Sequence, residues 1–182
     1  MAMGIPPRSA DAPRELIELS PIYNAGLGED WHNAEDAGNN LSELPAGIQE
    51  FGGIRWDVRG VIQLDSTEIA KMTPGYPKEV VGIPVGQRGA KLHFLHGCGW
   101  PGVDGEEVAR YVIHYVDGST VVVPVVYGEA LRNWQYGPDM PENERTGGEI
   151  VWKGPQTRWL EHYPDWGVRL YSLTWPNPHP EK

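Results

Sequence analysis

Residues 108–127 read VARYVIHYVDGSTVVVPVVY, two apolar runs rich in β-branched and aromatic side chains, joined at Asp117-Gly118. Asp-Gly between such runs favours a two-residue type I′ turn, whose twist matches that of paired strands, and neither flank has a helical period. The chain therefore reads as an antiparallel β protein. In the first run both alternation classes, Arg110/Val112/His114/Val116 and Tyr111/Ile113/Tyr115, are largely apolar. That predicts a hairpin central in its sheet and covered on both sides. An all-β fold follows, a sandwich or a barrel.

Around the hairpin the chain offers further strands. KLHFLH at 91–96, EIVW at 149–152 and VRLYSLTW at 168–175 are strand-like runs bounded by turn residues. GGIRWDVRGVIQL at 52–64 alternates and then bends at Gly60. Shorter strands are expected from Leu16, breaking at Pro21 into a loop that runs to Leu27, and at 79–84. The total is about eight or nine. Between them, 28–47 is a long polar, acidic and Asn-rich loop, a length that compact domains reserve for function or tie down with a ligand. The first fifteen residues, Pro- and Ala-rich, read as a linker, and 16–182 as a single domain.

The chain has 182 residues and a formal charge of −10, with pI near 5.0. That balance disfavours nucleic acid and anionic membrane surfaces, which need phosphate neutralisation. No apolar run approaches the length of a membrane span. The lone Cys98 excludes an internal disulfide, so packing alone holds the fold. Eight Trp and eight Tyr against two Phe give the aromatic area a polar handle.

Several constellations can carry chemistry. His93 and His96 are three apart on a strand and so face opposite ways, which does not suit a shared metal. Cys98 lies in HGCGW, a tight turn where a thiol is either a nucleophile or a buried small hydrophobe. The acidic loop supplies hard oxygen ligands at Asp30, Asn33, Asp36 and Asn39, with Glu29 and Asn40 beside them, a set suited to a structural calcium ion but without EF-hand spacing. Aromatic residues recur in loops next to donors and acceptors: Trp31 with His32, Trp100 after GCG, Trp134 and Tyr136 with Arg132 and Asn133, and Trp159, Tyr163 and Trp166. A pyranose has an apolar C–H face and a hydroxyl edge, so its site needs a flat aromatic platform ringed by directed polar groups.

The blocks SPIYNAGL, NNLSELPAGIQEFGGIRWDVRGVIQL, IPVGQRGAKLHFLHGCGW, YVIHYVDGS, VPVVYGEALRNW and LTWPNPHP together resemble a bacterial accessory β-sandwich domain. Such domains are similar to the galactose-binding-like jelly rolls, including the carbohydrate-binding modules of glycosidases, and occur in exported or membrane-tethered multidomain proteins. The resemblance implies a jelly-roll sandwich, an extracytoplasmic setting, a neighbouring domain and, by fold analogy, sugar binding. In those relatives NPHP leads into one more strand, whereas here Glu181-Lys182 follow.

Three readings of function result. The first is a noncatalytic carbohydrate-binding module for a poly- or oligosaccharide, using Trp31, Trp100, Arg132, Asn133, Trp134, Tyr136, Trp159 and Trp166, with calcium supporting the acidic loop. The second is a protein-interaction or sensory domain. The third is an enzyme, either a hydrolase with paired carboxylates or a metal-dependent oxidase using histidines.

Overall fold

The computed structural model describes residues 4–32, 37–140 and 147–182. It is all-β, with ten strands in several antiparallel sheets and one four-residue helix among the described residues. The chain folds as two compact units, 1–85 with 154–167 and 86–153 with 168–182.

In the first unit, β1 (Ala25–Gly26) pairs with β4 (Gly60–Val61), and β2 (Gly47–Phe51) pairs with β3 (Ile54–Val58). The β2–β3 connection is the two-residue Gly52-Gly53, both with positive φ, 59° and 71°, the geometry of a type I′ turn. The bend expected at Gly60 is present: β3 ends at Val58 and β4 starts at Gly60. A Cβ at Gly60 would lie 2.8 Å from Tyr23 Cγ, so only glycine lets the strand pass this ring. The short strand expected from Leu16 to Pro21 does not form; a 3-10 turn lies at Ser20–Ile22 with Pro21 in its first turn, and in the expected loop beyond it the two residues of β1 pair. The strand expected at 79–84 is absent. That segment is irregular and mostly exposed, with Val81 at 75%, since Pro77, Pro84 and Gly82 at φ 74° leave no ladder to join.

Helix α1 (Ile69–Met72) buries Ile69, and Ala25, Trp31, Leu41, Leu44, Trp56 and Val58 are the other buried apolar residues of this unit. Polar cohesion here centres on Arg59, 2% exposed, which binds Asp57 through Nε at 2.9 Å and Glu18 through Nη2 at 2.7 Å and also reaches Ser20. Arg8, within the segment read as a linker, joins them at 3.4 Å from Glu18 and 3.5 Å from Asp57, and donates to the Leu16 carbonyl at 2.6 Å.

The second unit holds β5 (Lys91–His96), β6 (Glu107–His114), β7 (Thr120–Val126), β8 (Gln135–Tyr136) and most of β9 (Gly148–Pro155) and β10 (Gly167–Pro176). Strand β10 is central: β5 pairs along it from Tyr171↔His96 to Pro176↔Lys91, and β8 and β9 also pair with it. Its run from Val168 to Leu173 is buried on both faces.

The β6–β7 hairpin forms in the expected place, with Val112 opposite Val122 and His114 opposite Thr120. Its turn differs from the expectation. The Gly118 amide donates to the Tyr115 carbonyl at 3.0 Å, and only Gly118, at φ 84°, is left-handed. This is a type I turn closed by a glycine bulge, and Asp117 fixes it by accepting from the Ser119 amide and hydroxyl. The hairpin is also covered on one face only. Tyr111, Ile113, Val123 and Val125 pack with Phe94, Tyr171, Leu173 and Trp175 across a shared core, and Tyr111 stacks on Phe94 at 3.8 Å. The opposite face leaves Val108, Val112 and Val122 exposed at 38%, 44% and 49%. Apolar residues on both faces therefore misled the expectation of double cover, since alternation reports apolarity and not which partner is present.

The chain end clamps the hairpin turn. Tyr115 donates to Asn177 Oδ1 at 2.5 Å, and Lys182 reaches Asp117 at 2.6 Å.

Candidate functional site

The aromatic candidates separate by burial. Trp31 and Trp134 are core residues, 8% and 3% exposed. Trp31 meets the His32 ring edge-on at 5.5 Å, and its carbonyl accepts the Tyr76 hydroxyl at 3.1 Å. Trp134 sits beneath the Cys98 loop, its amide donating to the Cys98 carbonyl and its carbonyl accepting from the Arg169 amide, each at 2.7 Å. Neither ring is available as a platform. Polar flanking residues gave no warning, because a Trp with a satisfied backbone is as much at home in a core as on a rim.

Arg132 and Asn133 are engaged within their own unit. Arg132 makes a bidentate pair with Asp104, both bonds 2.8 Å, and its guanidinium lies 5.6 Å over the Tyr127 ring. The Asn133 amide donates to the Tyr127 hydroxyl at 3.2 Å, and its carbonyl accepts from Arg169 Nε at 3.1 Å. Tyr136, half-buried, has the Lys153 ammonium 5.4 Å and the Arg169 guanidinium 6.0 Å from its ring centre. Trp100, half-buried, is the one non-glycine residue with positive φ, 62°, among the described residues. The Cys98 thiol points at the Gly99 carbonyl, 3.4 Å away, and burial pushes its pKa up, which keeps it neutral and unlike an activated nucleophile.

The first unit gathers the remaining aromatics on one loop, 156–166. Trp159 and Trp166 meet edge to face, with centroids 5.1 Å apart at 87°, and Tyr163 lies 6.1 Å from Trp166 at 59°. Tyr163 is 58% exposed and Leu160 46%, while the two Trp rings are half-buried. The Arg158 guanidinium stands 5.4 Å over Trp159, a contact that sequence reasoning missed although Arg158 and Trp159 are adjacent. Glu161 and Asp165 on the same loop are exposed.

The acidic loop is anchored at the foot of this aromatic loop. Gln156, 1% exposed, donates to Asn39 Oδ1 at 2.7 Å, and Gly38 lies so close to Thr157 that a Cβ would stand 2.7 Å from its hydroxyl. Asp30 Oδ1 accepts from the Gly38 amide at 3.0 Å and from Asn40 Nδ2 at 2.8 Å. Of the four candidate calcium ligands, Asn33 and Asp36 lie outside the described residues. At Asp30 and Asn39 one oxygen of each already accepts N–H donors, from Gly38, Asn40 and Gln156. Among the described residues no three His, Cys, Asp or Glu side chains converge as a metal group.

Among the described residues the histidines form no metal group either. His93 is exposed and bonds Thr174 at 2.9 Å, whereas His96 is half-buried against the Tyr111 hydroxyl at 3.0 Å, as their opposite facing on β5 requires. A groove of about 470 Å3 in the first unit, lined by Pro6, Leu27, Leu44, Pro45 and Arg59 among others, contains no aromatic wall. Among the described residues no helix is long and apolar enough to cross a membrane. No family model, curated protein or solved structure matches the chain.

Proposed function

We propose that this chain is a noncatalytic carbohydrate-binding module whose platform is the loop 156–166. The observation that carries the reading is the clustering of Trp159, Tyr163 and Trp166 on one partly exposed loop, with Arg158, Glu161 and Asp165 beside them. Apolar ring faces bordered by charged hydrogen-bonding groups match the two surfaces of a sugar. The same proposal takes the antiparallel strands as a jelly-roll sandwich and the chain as an accessory domain beside a neighbouring domain of a larger, extracytoplasmic bacterial protein. Calcium at the acidic loop belongs to it as a proposal with its own control.

The test is intrinsic Trp fluorescence of the chain against a panel of soluble oligosaccharides and polysaccharides, with calcium and with chelator. A saturable shift for one glycan class supports the module. A shift abolished by chelator adds the calcium ion, and silence across the panel overturns the reading.

The exposed hairpin face favours a second reading, a protein-interaction or sensory domain. Val108, Val112 and Val122 form an aliphatic surface on one sheet face, of the kind that partners cover. Silence across the glycan panel is the result that would move weight to it.

A further inference from the structure

We propose that the aromatic loop takes a single soluble oligosaccharide chain or its terminal residue, and not the flat face of an insoluble packed polymer; this rests on the glycan reading above. A packed polymer presents a plane, and a surface that grips a plane must lay several rings parallel to it. Trp159 and Trp166 stand at 87°, and Trp166 and Tyr163 at 59°. Trp159 and Tyr163 must then differ by at least the gap between those angles. No two of the three rings share a plane, so only one of them can lie flat on any extended surface.

Rings set nearly at right angles form a corner instead. One ring stacks on the C–H face of a pyranose while the other meets its edge, an arrangement that needs a sugar open on its remaining sides. Polar groups share the loop: the Arg158 guanidinium lies over the Trp159 ring, and Glu161 and Asp165 are exposed carboxylates that can accept from hydroxyl groups. A single chain exposes those hydroxyl edges, whereas a packed face hides most of them in lateral contacts.

The experiment uses the full chain and its Tyr163→Ala variant, which removes an exposed ring and spares the core. Binding to cello-, xylo-, manno- and chito-oligosaccharides is measured by calorimetry, and retention on insoluble cellulose and chitin by sedimentation. The expected result is saturable binding of a soluble oligosaccharide, weakened about tenfold by Tyr163→Ala, as loss of the exposed ring that borders the corner implies, with no retention on the insoluble polymers. Retention on an insoluble polymer without soluble binding overturns the single-chain inference while keeping the glycan reading. Soluble binding untouched by Tyr163→Ala overturns the placement at this loop, and no binding to any glycan overturns both readings together.

Discussion

Gln156 donates from Nε2 to Asn39 Oδ1 at 2.7 Å, joining two buried side chains 117 residues apart in sequence. The bond ties the start of the aromatic loop to the acidic loop, where Gly38 also passes close to Thr157. Replacing Gln156 by Leu leaves the Asn39 oxygen buried without this donor, which costs about 1–3 kcal/mol. Urea denaturation is expected to show that loss, and the Trp emission of the folded variant is expected to shift red as Trp159 and Trp166 loosen. An unchanged midpoint would mean that the two loops are held by other contacts.

Gly148 passes against Ala130 so closely that a Cβ on it would overlap the Ala130 carbonyl. The start of β9 therefore depends on a missing side chain. Gly148→Ala is expected to destabilise the chain by about 3 kcal/mol or more, since the obstacle is backbone and cannot swing aside. Gly89→Ala is the control: its Cβ would meet only ordinary contact at 3.5 Å, and its midpoint is expected to stay within about 0.5 kcal/mol of the parent. Equal effects in thermal melts of the two variants would contradict the close approach.

Those two contacts also mark what the sequence could and could not disclose. Strands β5, β6, β7 and β10 were legible because alternation and turn residues are local. The sequence favours a type I′ turn at Asp117-Gly118, yet that turn geometry occurs at Gly52-Gly53, where GIQEF before it is too polar to announce a strand. The choice between turn types at Asp117-Gly118 was settled by pairing: His114 opposite Thr120 leaves five residues to close the hairpin. For the site, composition located the aromatic loops but could not sort them. Trp134 and Trp159 have similar neighbours in sequence, but Trp134 is packed against the Cys98 loop at Gly97 and Cys98 while Trp159 stands half-buried on an open loop.

His96 is half-buried beside Tyr111 with its Nε2 shielded from solvent, and that desolvation lowers its pKa to about 4. The folded state thus stays neutral where an unfolded chain, with an ordinary value near 6.5, takes up a proton. Stability is full above about 6.5 and falls as pH drops towards 4, by roughly 2–4 kcal/mol over that window. Glu18 acts in a lower window: held down to about 2, chiefly by its hydrogen bond with Ser20 and then by Arg59, it stabilises above about 4.5 and loses that effect as pH falls to 2. Denaturation midpoints measured from pH 7 to 4.5 are expected to decline for the parent chain and to decline less steeply for His96→Phe, the remainder coming from His93, whose pKa desolvation and Lys91 also lower. Parallel slopes would show that another group governs this limb.

Trp134 offers the sharpest separation of core from platform. It is 3% exposed and hydrogen-bonded on both sides of its peptide, to Cys98 and Arg169, and a Cβ on Gly97 would stand 3.2 Å from its own Cβ. Removing the indole leaves a void that the backbone cannot close, so Trp134→Ala is expected to cost about 3–5 kcal/mol. Tyr163→Ala removes a ring that is already 58% in water and is expected to cost under about 1 kcal/mol. Fluorescence should follow the same division, Trp134 contributing a blue-shifted component that acrylamide quenches poorly. If Trp134→Ala folded with an unchanged melting temperature, the indole would have to be a surface group, and it would stand again as a candidate sugar platform.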